Sequence, residues 1–379
     1  MKVLVTGANG FVGRNTVETL LNIKNESYHF NDIKIDDVFE FDKDSKLDDL
    51  KEFTKSCDFI INLAGVNRPK KANEFYEGNK GFIEVLCSLL IENNNKCPIL
   101  ISSSIQVGED NDYAKSKKEG EDYILDFSKN FGNPVYIYRF ANLFGKWCKP
   151  NYNSVTATWC HNIARNNEIV INDPSKEISL CYIDDVINEI LNCMKGKPTR
   201  DGLYFKVEPV YKITLENLAN YLYSFKSSRK LLDIPNQSDP FIKKLYATYL
   251  SYIPDDNLSY PLNMNMDERG SFTEFIKTKA NGQVSVNISK PGIIKGNHWH
   301  QTKNEKFLVV SGEAIIRFRK IGDKKISEYK TSGEKLEVVD IPVGYTHNIE
   351  NIGKKELVTI MWANEPFDTE QPDTFYEEV

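Results

Sequence analysis

A chain of 379 residues with 40% apolar and 27% charged side chains has enough material for two globular cores and none of the bias of a disordered or fibrous protein. Its net charge of −6 gives no basic field for nucleic acid or an anionic membrane, and no apolar run reaches the length of a membrane span. Seven cysteines, an odd number with no Cys-x-x-Cys pair, point to reduced and mostly buried thiols in a cytoplasm, and the opening residues carry no signal-peptide pattern.

Residues 1–6 (Met-Lys-Val-Leu-Val-Thr) predict a strand, which runs through Gly7-Ala8-Asn9-Gly10-Phe11-Val12-Gly13 into an amphipathic helix ending near Ile23. Strand, glycine turn and helix in that order is the setting of a dinucleotide fingerprint. Gly7 makes the tight turn, Gly10 lets backbone approach a pyrophosphate, and Gly13 lets helix pack on strand. The helix N-terminus offers free N–H groups and positive dipole to the phosphates. The Gly-x-x-Gly-x-x-Gly spacing resembles the extended, nucleotide-sugar branch of the short-chain dehydrogenase/reductase family. That resemblance implies a nicotinamide cofactor along Gly7, Asn9, Gly10, Phe11, Val12 and Gly13.

The second strand has two candidates, residues 26–33 and residues 38–41, and the aromatic and β-branched content of the second suits a strand better. On that choice the ribose-reading position is Asp42-Lys43. Asp42 favours a free 2′-hydroxyl and Lys43 a 2′-phosphate, so the preference leans to NADP without excluding NAD. Residues 58–65 (Asp-Phe-Ile-Ile-Asn-Leu-Ala-Gly) form a continuous apolar run closed by small residues, as a buried parallel strand does. By the resemblance, Leu63 and Ala64 lie under the adenosine. Residues 82–93 predict a helix and residues 99–101 a buried strand that ends in Ser102-Ser103-Ser104.

Tyr113-Ala114-Lys115-Ser116-Lys117 sets Tyr113 and Lys117 four apart, on one face of a helix. A free tyrosine, with pKa about 10, is a poor proton donor near neutrality. A fixed ammonium beside it pulls that value down. Ketone reduction needs a proton at the oxygen as hydride reaches the carbon, and Tyr113 can deliver it. In the related family the third serine of such a run holds the same oxygen, which implies Ser104 beside Tyr113 and Lys117 as the catalytic set. Only nine positions separate Ser104 from Tyr113, so the pocket rim is trimmed relative to most of the branch.

Residues 135–138 predict a further strand. It leads into Arg139-Phe140-Ala141-Asn142-Leu143-Phe144-Gly145, which resembles the Arg-x-x-Asn-x-x-Gly turn before the nucleotide-sugar subdomain. Arg139 and Asn142 then become substrate candidates, with a structural ion pair the equal alternative for Arg139. Residues 146–155, polar and aromatic, suit a wall for a sugar diphosphate. Asp184 reads as a helix N-cap.

Residues 206–244 are helical and mixed. Residues 246–261, rich in tyrosine, proline and aspartate, read as a connector, which divides the chain into a reductase domain over 1–245 and a second domain over 246–379, with 246–265 as the link. Beyond it, residues 283–289 alternate Val284, Val286 and Ile288 against polar partners. Residues 314–321 and 356–362 are also strand-like, and Gly and Pro turns between short strands predict a barrel or sandwich.

Three of the five histidines fall here. His298 and His300, two apart on a predicted strand, share a face from which Trp299 points away. Glu305 follows, and Pro342-Val343-Gly344-Tyr345-Thr346-His347 returns a third imidazole through a turn. Three imidazoles and a carboxylate suit a divalent metal such as zinc, iron, nickel or manganese. The arrangement matches both cupin motifs, with Leu336 where the second often has glycine. Residues 267–275 (Asp-Glu-Arg-Gly-Ser-Phe-Thr-Glu-Phe) resemble the opening of cupin-type deoxysugar epimerases acting on 4-keto nucleotide sugars. Arg269 is therefore a candidate for the diphosphate, or else the partner of Asp267 or Glu268 at a barrel edge.

A Rossmann-type, doubly wound parallel sheet followed by an all-β metal cupin resembles, over essentially the whole chain, the bifunctional CapF-type enzymes of bacterial capsular polysaccharide synthesis. The resemblance implies a cytoplasmic homodimer acting on a UDP-sugar, with NADPH and zinc as cofactors. Its cupin would epimerise C3 of a UDP-2-acetamido-2,6-dideoxy-4-hexulose, and its reductase would then reduce the C4 ketone to a UDP-6-deoxy-talosamine. A C3 proton beside a ketone is acidic only if the enolate is stabilised, which a Lewis acid does. Tyr345, Glu337 and a water on the metal all stand open as the C3 base. Two other readings are a single-activity reductase or 4-epimerase with a dimerising cupin, and an NADP sensor, against which Tyr113, Lys117 and the full ligand set argue.

Overall fold

The structure, a computed structural model, describes residues 1–27, 33–69, 71, 73–278, 280–368 and 370–379. It divides into two compact units, Met1–Tyr223 with Asp239–Pro254, and Ser224–Ser238 with Asp255–Val379.

Short buried apolar runs build the parallel sheet of the first unit: β1 Lys2–Thr6, β2 Asp37–Phe41, β3 Phe59–Asn62, β4 Ile99–Ser104 and β5 Val135–Phe140. Their spatial order is 2-1-3-4-5. A small sheet is formed by β6 Asn142–Phe144, β7 Glu177–Tyr182 and, after the edge strands β8 Arg200–Asp201 and β9 Tyr204–Phe205, by β10 Tyr211–Thr214. The helices are α1 Phe11–Lys24, α2 Leu47–Ser56, α3 Asn73–Tyr76, α4 Phe82–Glu92, α5 Asp112–Phe131, α6 Val155–Ala164, α7 Ile183–Met194, α8 Leu215–Leu231 and α9 Pro240–Leu250.

Successive side chains of a strand point to opposite faces, and β1 shows the result. Val3 and Val5 join Val17 and Leu20 of α1 and Val186 and Ile190 of α7 in one core. Leu4 joins Ile60 and Ile99, with Leu86 and Leu90 of α4 and Ile124 of α5, in the other. The sheet is thus covered on both faces, the doubly wound arrangement expected. One strand, β2, lies outside β1, where the dinucleotide fold of order 3-2-1-4-5-6 has two. Helix α2 carries the chain from β2 to β3, which lies on the other side of β1. The winding reverses between β1 and β3, and ligands bind at the carboxyl ends of strands beside such a switch point.

Of the two candidates for the second strand, residues 38–41 lie in β2; the middle of the other, 28–32, is outside the described residues. The expected connector begins later than the tyrosines suggest. Residues 246–250 are the last turns of α9, which Asp239 caps through the N–H groups of Phe241 and Ile242. Ile242, Leu245 and Tyr249 form its buried stripe, so helical spacing outweighs a loop-like composition.

The second unit is all antiparallel. Its strands are β11 Met264–Asp267, β12 Gly270–Thr278, β13 Gly282–Ser289, β14 Ile294–Trp299, β15 Glu305–Ser311, β16 Glu313–Lys320, β17 Ile326–Ser332, β18 Val338–Ile341, β19 Tyr345–Asn351, β20 Leu357–Ala363 and β21 Phe375–Tyr376. They form a six-stranded sheet, β11-β12-β13-β20-β15-β18, and a five-stranded sheet, β17-β16-β19-β14-β21. Phe307, Val309, Ile316 and Ile349, drawn from both sheets, make the apolar core. The alternation expected over residues 283–289 is present, with the polar row inward. In β13 the buried row is Gln283, Ser285, Asn287 and Ser289, while Val284, Val286 and Ile288 are half-buried on the other face.

Candidate functional site

The first site gathers at the switch point. Gly7 adopts φ +67°, where a side chain is strained, and a Cβ on Gly13 would sit 2.0 Å from the Gly7 carbonyl oxygen. Helix α1 starts on Gly10 with no side-chain cap, which leaves its first-turn N–H groups for a ligand. The glycine turn, the β3 end at Leu63, Ala64 and Gly65, and the β4 end at Ser102–Ser104 line one cleft of about 1520 Å³. Asn9, Phe11, Val12, Lys43, Tyr113, Lys117 and Asn142 also line it. Asp42 also lines the cleft, and its carboxylate accepts the N–H of Asn9 at 2.8 Å and that of Lys43 at 2.8 Å.

Asn111 caps α5 by accepting the Ala114 N–H at 2.8 Å, which fixes Tyr113 in the first turn. Burial raises the Tyr113 phenol, and a hydrogen bond with the Ser104 hydroxyl partly opposes that rise. Burial brings the Lys117 ammonium down to about 8, with Glu121 opposing. The sequence led us to expect Lys117 to lower Tyr113. Its ammonium instead donates to the Ser102 carbonyl at 3.2 Å, and burial decides the phenol. A Cβ on Gly65 would lie 2.9 Å from that ammonium, so the glycine makes room for it.

Asn79 was not foreseen. It is buried on the irregular turn Glu77–Gly81, where its carboxamide accepts the Val66 N–H at 3.0 Å and donates to the Ser116 hydroxyl at 2.9 Å. It ties the loop after β3 to the helix that carries Tyr113 and Lys117. No local pattern marks it, because both partners are distant in sequence.

Residues 147–149 and 152–155 form a wall of the same cleft. Tyr252 holds that wall by donating to the Cys148 carbonyl at 2.5 Å, and Arg14 stacks over the Trp147 ring at 4.4 Å. Asn142 donates to the Ser179 carbonyl at 3.1 Å. Arg139 is not brought to the cleft. It makes the alternative ion pair, with Glu121, at 2.9 and 2.6 Å, and its guanidinium lies 3.6 Å from the centre of the Tyr204 ring. Glu121 is fully buried and also accepts the Ser103 hydroxyl at 2.5 Å. Asp184 is not the N-cap, which is Tyr182; it lies in the first turn of α7 and pairs with Lys146 at 2.6 Å.

The second site is a tetrad. His298 comes from β14, His300 from the residue after it, Glu305 from the start of β15 and His347 from β19. Their ligand atoms all lie within 4.8 Å of one another. His300 Nε2, His347 Nε2 and Glu305 Oε2 are buried with no hydrogen-bond partner among the described residues. Glu305 Oε2 sits 3.5 Å from His300 Nε2 and 3.1 Å from His347 Nε2. Three orphaned, converging lone-pair atoms are costly unless something else satisfies them, and three nitrogens with one oxygen suit a divalent cation. Burial takes His298 down to about 4, helped by the two neighbouring imidazoles, so it stays neutral and ligand-ready at pH 7. Burial alone would raise Glu305; the same imidazoles hold it well below the carboxylate range.

Cross-strand register places polar side chains beside the tetrad. Gln283, Ala363 and Glu305 are partners across β13, β20 and β15 and so share one face, as do Asn287, Thr359 and Val309. Tyr345 lies two residues before His347 on β19, with its ring edge-on to Phe318 at 6.4 Å. Glu337 is elsewhere, half-exposed and paired with Lys335 at 2.6 Å. Arg269 makes the bland pairing: Asp267 accepts from its Nε at 2.9 Å and its Nη2 at 2.6 Å, at the tip of the β11–β12 hairpin. A Cβ on Gly270 would lie 2.0 Å from the Ile288 carbonyl oxygen, which explains the glycine of that motif.

Residues 3–201 match the NAD dependent epimerase/dehydratase family and residues 265–375 the polysaccharide biosynthesis C-terminal domain. The crystal structure of the capsular polysaccharide assembling protein CapF from Staphylococcus aureus superposes with a TM-score of 0.93 at 52% identity, covering 100% of both chains. The chain belongs to the NAD dependent epimerase/dehydratase family, in its CapF-type branch. A second CapF-type structure, CapF with the inhibitor 3-isopropenyl-tropolone, matches at 49% identity and TM-score 0.88 over 100% of both chains. The UDP-2-acetamido-2,6-beta-L-arabino-hexul-4-ose reductase of Pseudomonas aeruginosa is 44% identical over 99% of this chain and 98% of its own length. No described helix is long and apolar enough to cross a membrane.

Proposed function

We propose that this is a bifunctional enzyme of capsular polysaccharide synthesis acting on a UDP-sugar. Its second unit, read as a cupin, epimerises C3 of a UDP-2-acetamido-2,6-dideoxy-4-hexulose. Its first unit reduces the C4 ketone with NADPH to a UDP-6-deoxy-talosamine. The observation that carries the reading is the meeting of the glycine turn with Ser104, Tyr113 and Lys117 in one cleft. Full-length likeness to a hexul-4-ose reductase supports the substrate class.

When bound, NADPH supplies the hydride and a divalent cation, zinc in this reading, supplies Lewis acidity at the 4-keto oxygen. The chain does the rest. Tyr113, kept protonated by burial, gives its proton to the C4 oxygen while the Ser104 hydroxyl orients that oxygen. Lys117 balances the phenolate left behind. Asp42 is occupied by backbone N–H groups, and Lys43 stands at the rim for a 2′-phosphate, which favours NADPH. The wall at residues 147–155 and Asn142 face the UDP-sugar. In the second unit His298, His300, Glu305 and His347 hold the cation, and the inward Gln283, Ser285 and Asn287 offer hydrogen bonds to sugar hydroxyls. Tyr345 shares the inward face with His347 and is the side chain we assign to proton exchange at C3, ahead of Glu337.

The test follows the sugar by NMR in D₂O with the full chain and no NADPH. Deuterium enters C3 in the wild type and in Tyr113→Phe but not in His347→Ala. Adding NADPH then consumes it only where Tyr113 is present. Exchange that survives His347→Ala, or NADPH oxidation by Tyr113→Phe at the wild-type rate, overturns the assignment.

A further inference from the structure

Residues 373–378 run across the two strands that carry the histidines of the tetrad. β21 pairs with β14 so that Tyr376 stands opposite His298 and Phe375 opposite Trp299, and the two rings of the second pair lie 4.9 Å apart. The Glu377 N–H donates to the Asn297 carbonyl at 3.1 Å, one residue before His298. On the other side the Thr346 hydroxyl, adjacent to His347, donates to the Glu377 carbonyl. Arg319 anchors the same point through the Glu377 carboxylate at 2.8 Å and the Glu378 carbonyl at 2.7 Å. The near end of the strap is Asp373. Its carboxylate accepts three successive N–H groups just beyond His300, those of Gln301 at 2.9 Å, Thr302 at 2.7 Å and Lys303 at 2.9 Å, together with the Thr302 hydroxyl at 3.0 Å. Its carbonyl oxygen meets His300 Nδ1.

That last contact decides a tautomer. A carbonyl only accepts, so Nδ1 of His300 carries the proton and Nε2 presents its lone pair to the tetrad. A hydrogen bond on the far nitrogen of a ligating histidine both orients the ring and raises its basicity. The strap therefore touches His300 directly, and His298 and His347 through their immediate neighbours.

We infer that residues 373–378 are a positioning strap for the metal ligands, with Asp373 as the positioning residue that locks the His300 tautomer and the turn after it. The inference rests on reading the tetrad as a divalent-cation site. Asp373 is not one of the four candidate ligands; it acts through His300.

The experiment measures zinc affinity of the metal-free full-length protein by competition with a chelating indicator, and the visible spectrum of the cobalt(II) form. Asp373→Ala and deletion of residues 373–379 should weaken zinc by about 10–100-fold, the range for partners of metal ligands, and should alter the cobalt spectrum. Asp373→Glu should restore part of the affinity, and Thr346→Val, at the far end, should weaken it by less. NADPH affinity should not move, and metal-free Asp373→Ala, which loses the four hydrogen bonds of that carboxylate, should melt below metal-free wild type but still in one cooperative transition. Should the deletion fail to fold, Asp373→Ala and Thr346→Val still decide. Wild-type zinc affinity and an unchanged cobalt spectrum in both would overturn the strap while leaving the tetrad intact. A wild-type protein that binds no divalent cation would instead overturn the tetrad, and the strap with it.

Discussion

The two sites are built on opposite plans. The cleft of the first unit is open and made largely of strand ends, helix N-termini and glycines, and it keeps only a few chemical side chains, held by their own helix. The tetrad of the second unit is closed and made of four side chains from three strands and a turn, with buried atoms that have no partner among the described residues. Backbone-built sites form wherever the topology reverses. Side-chain-built sites need every strand in register. The first therefore tolerates much change away from its glycines, and the second little at its ligands.

The largest expected effect separates them. His347→Ala removes one ligand and leaves Glu305 buried against fewer partners. Divalent-cation binding, read by metal content after dialysis, should be lost, while NADPH binding stays within twofold. Cation retained at full stoichiometry would show that the tetrad is not its site.

Next comes Tyr113→Phe. Reduction should fall by about 10²–10⁴-fold, the contribution of a positioned proton donor, with NADPH affinity and fold retained. A loss under tenfold in single-turnover NADPH oxidation would return the proton to another group.

How far each site could be read beforehand follows from the same contrast. The glycine turn and the Tyr113/Lys117 pair are local patterns, and local spacing is what a sequence displays. The meeting of the tetrad was readable too, since His298 and His300 are two apart at a strand end and His347 follows a turn. Asn79 was not readable, because its role exists only once the loop after β3 meets α5. The fate of Arg139 on β5 depended on Glu121, eighteen positions earlier on α5, and so stayed open until the pair was seen at 2.6 Å. Which row of β13 is inward stayed open for a related reason. Alternation shows that a strand has two faces but not which one is inward, and here the inward face is polar. The helix over residues 246–250 was hidden under a tyrosine-rich composition that looked like a loop.

A smaller effect concerns Lys117, whose charge is buried. Because its folded pKa lies near 8, below the ordinary 10.5, the unfolded chain binds the extra proton between those values. Stability of the cofactor-free protein should therefore rise with pH across that window, by about 2–3 kcal/mol, and the buried charge is a penalty at pH 7. Lys117→Met should lose that component and melt higher than wild type at pH 7. Parallel melting-temperature profiles for the two proteins from pH 7 to 10 would mean the ammonium is hydrated. Gly65→Ala should act on the same group in a milder way. Its methyl meets the Asn79 carboxamide oxygen at 2.8 Å and the ammonium at 2.9 Å, and kcat should drop by about tenfold with little change in KM for NADPH, because orientation rather than binding is lost.

The smallest effect is at the rim. Lys43→Ala should narrow the preference for NADPH over NADH by roughly fivefold, about 1 kcal/mol, the scale of one exposed charge pair. Equal use of both cofactors by the unmutated enzyme would place ribose reading elsewhere.

Arg139 has a consequence beyond its own ion pair. Glu121, which it neutralises, is the carboxylate whose charge works against the drop in the Lys117 pKa, and it also grips the hydroxyl of the serine next to Ser104. An arginine that does not line the cleft thus acts as a ballast for it. Taking it away would leave an uncovered negative charge one helical turn from Lys117, and the ammonium would hold its proton to higher pH. In the proposed reductase, the pH at which Lys117 gives up its proton would then depend in part on Arg139, a residue that does not line the cleft.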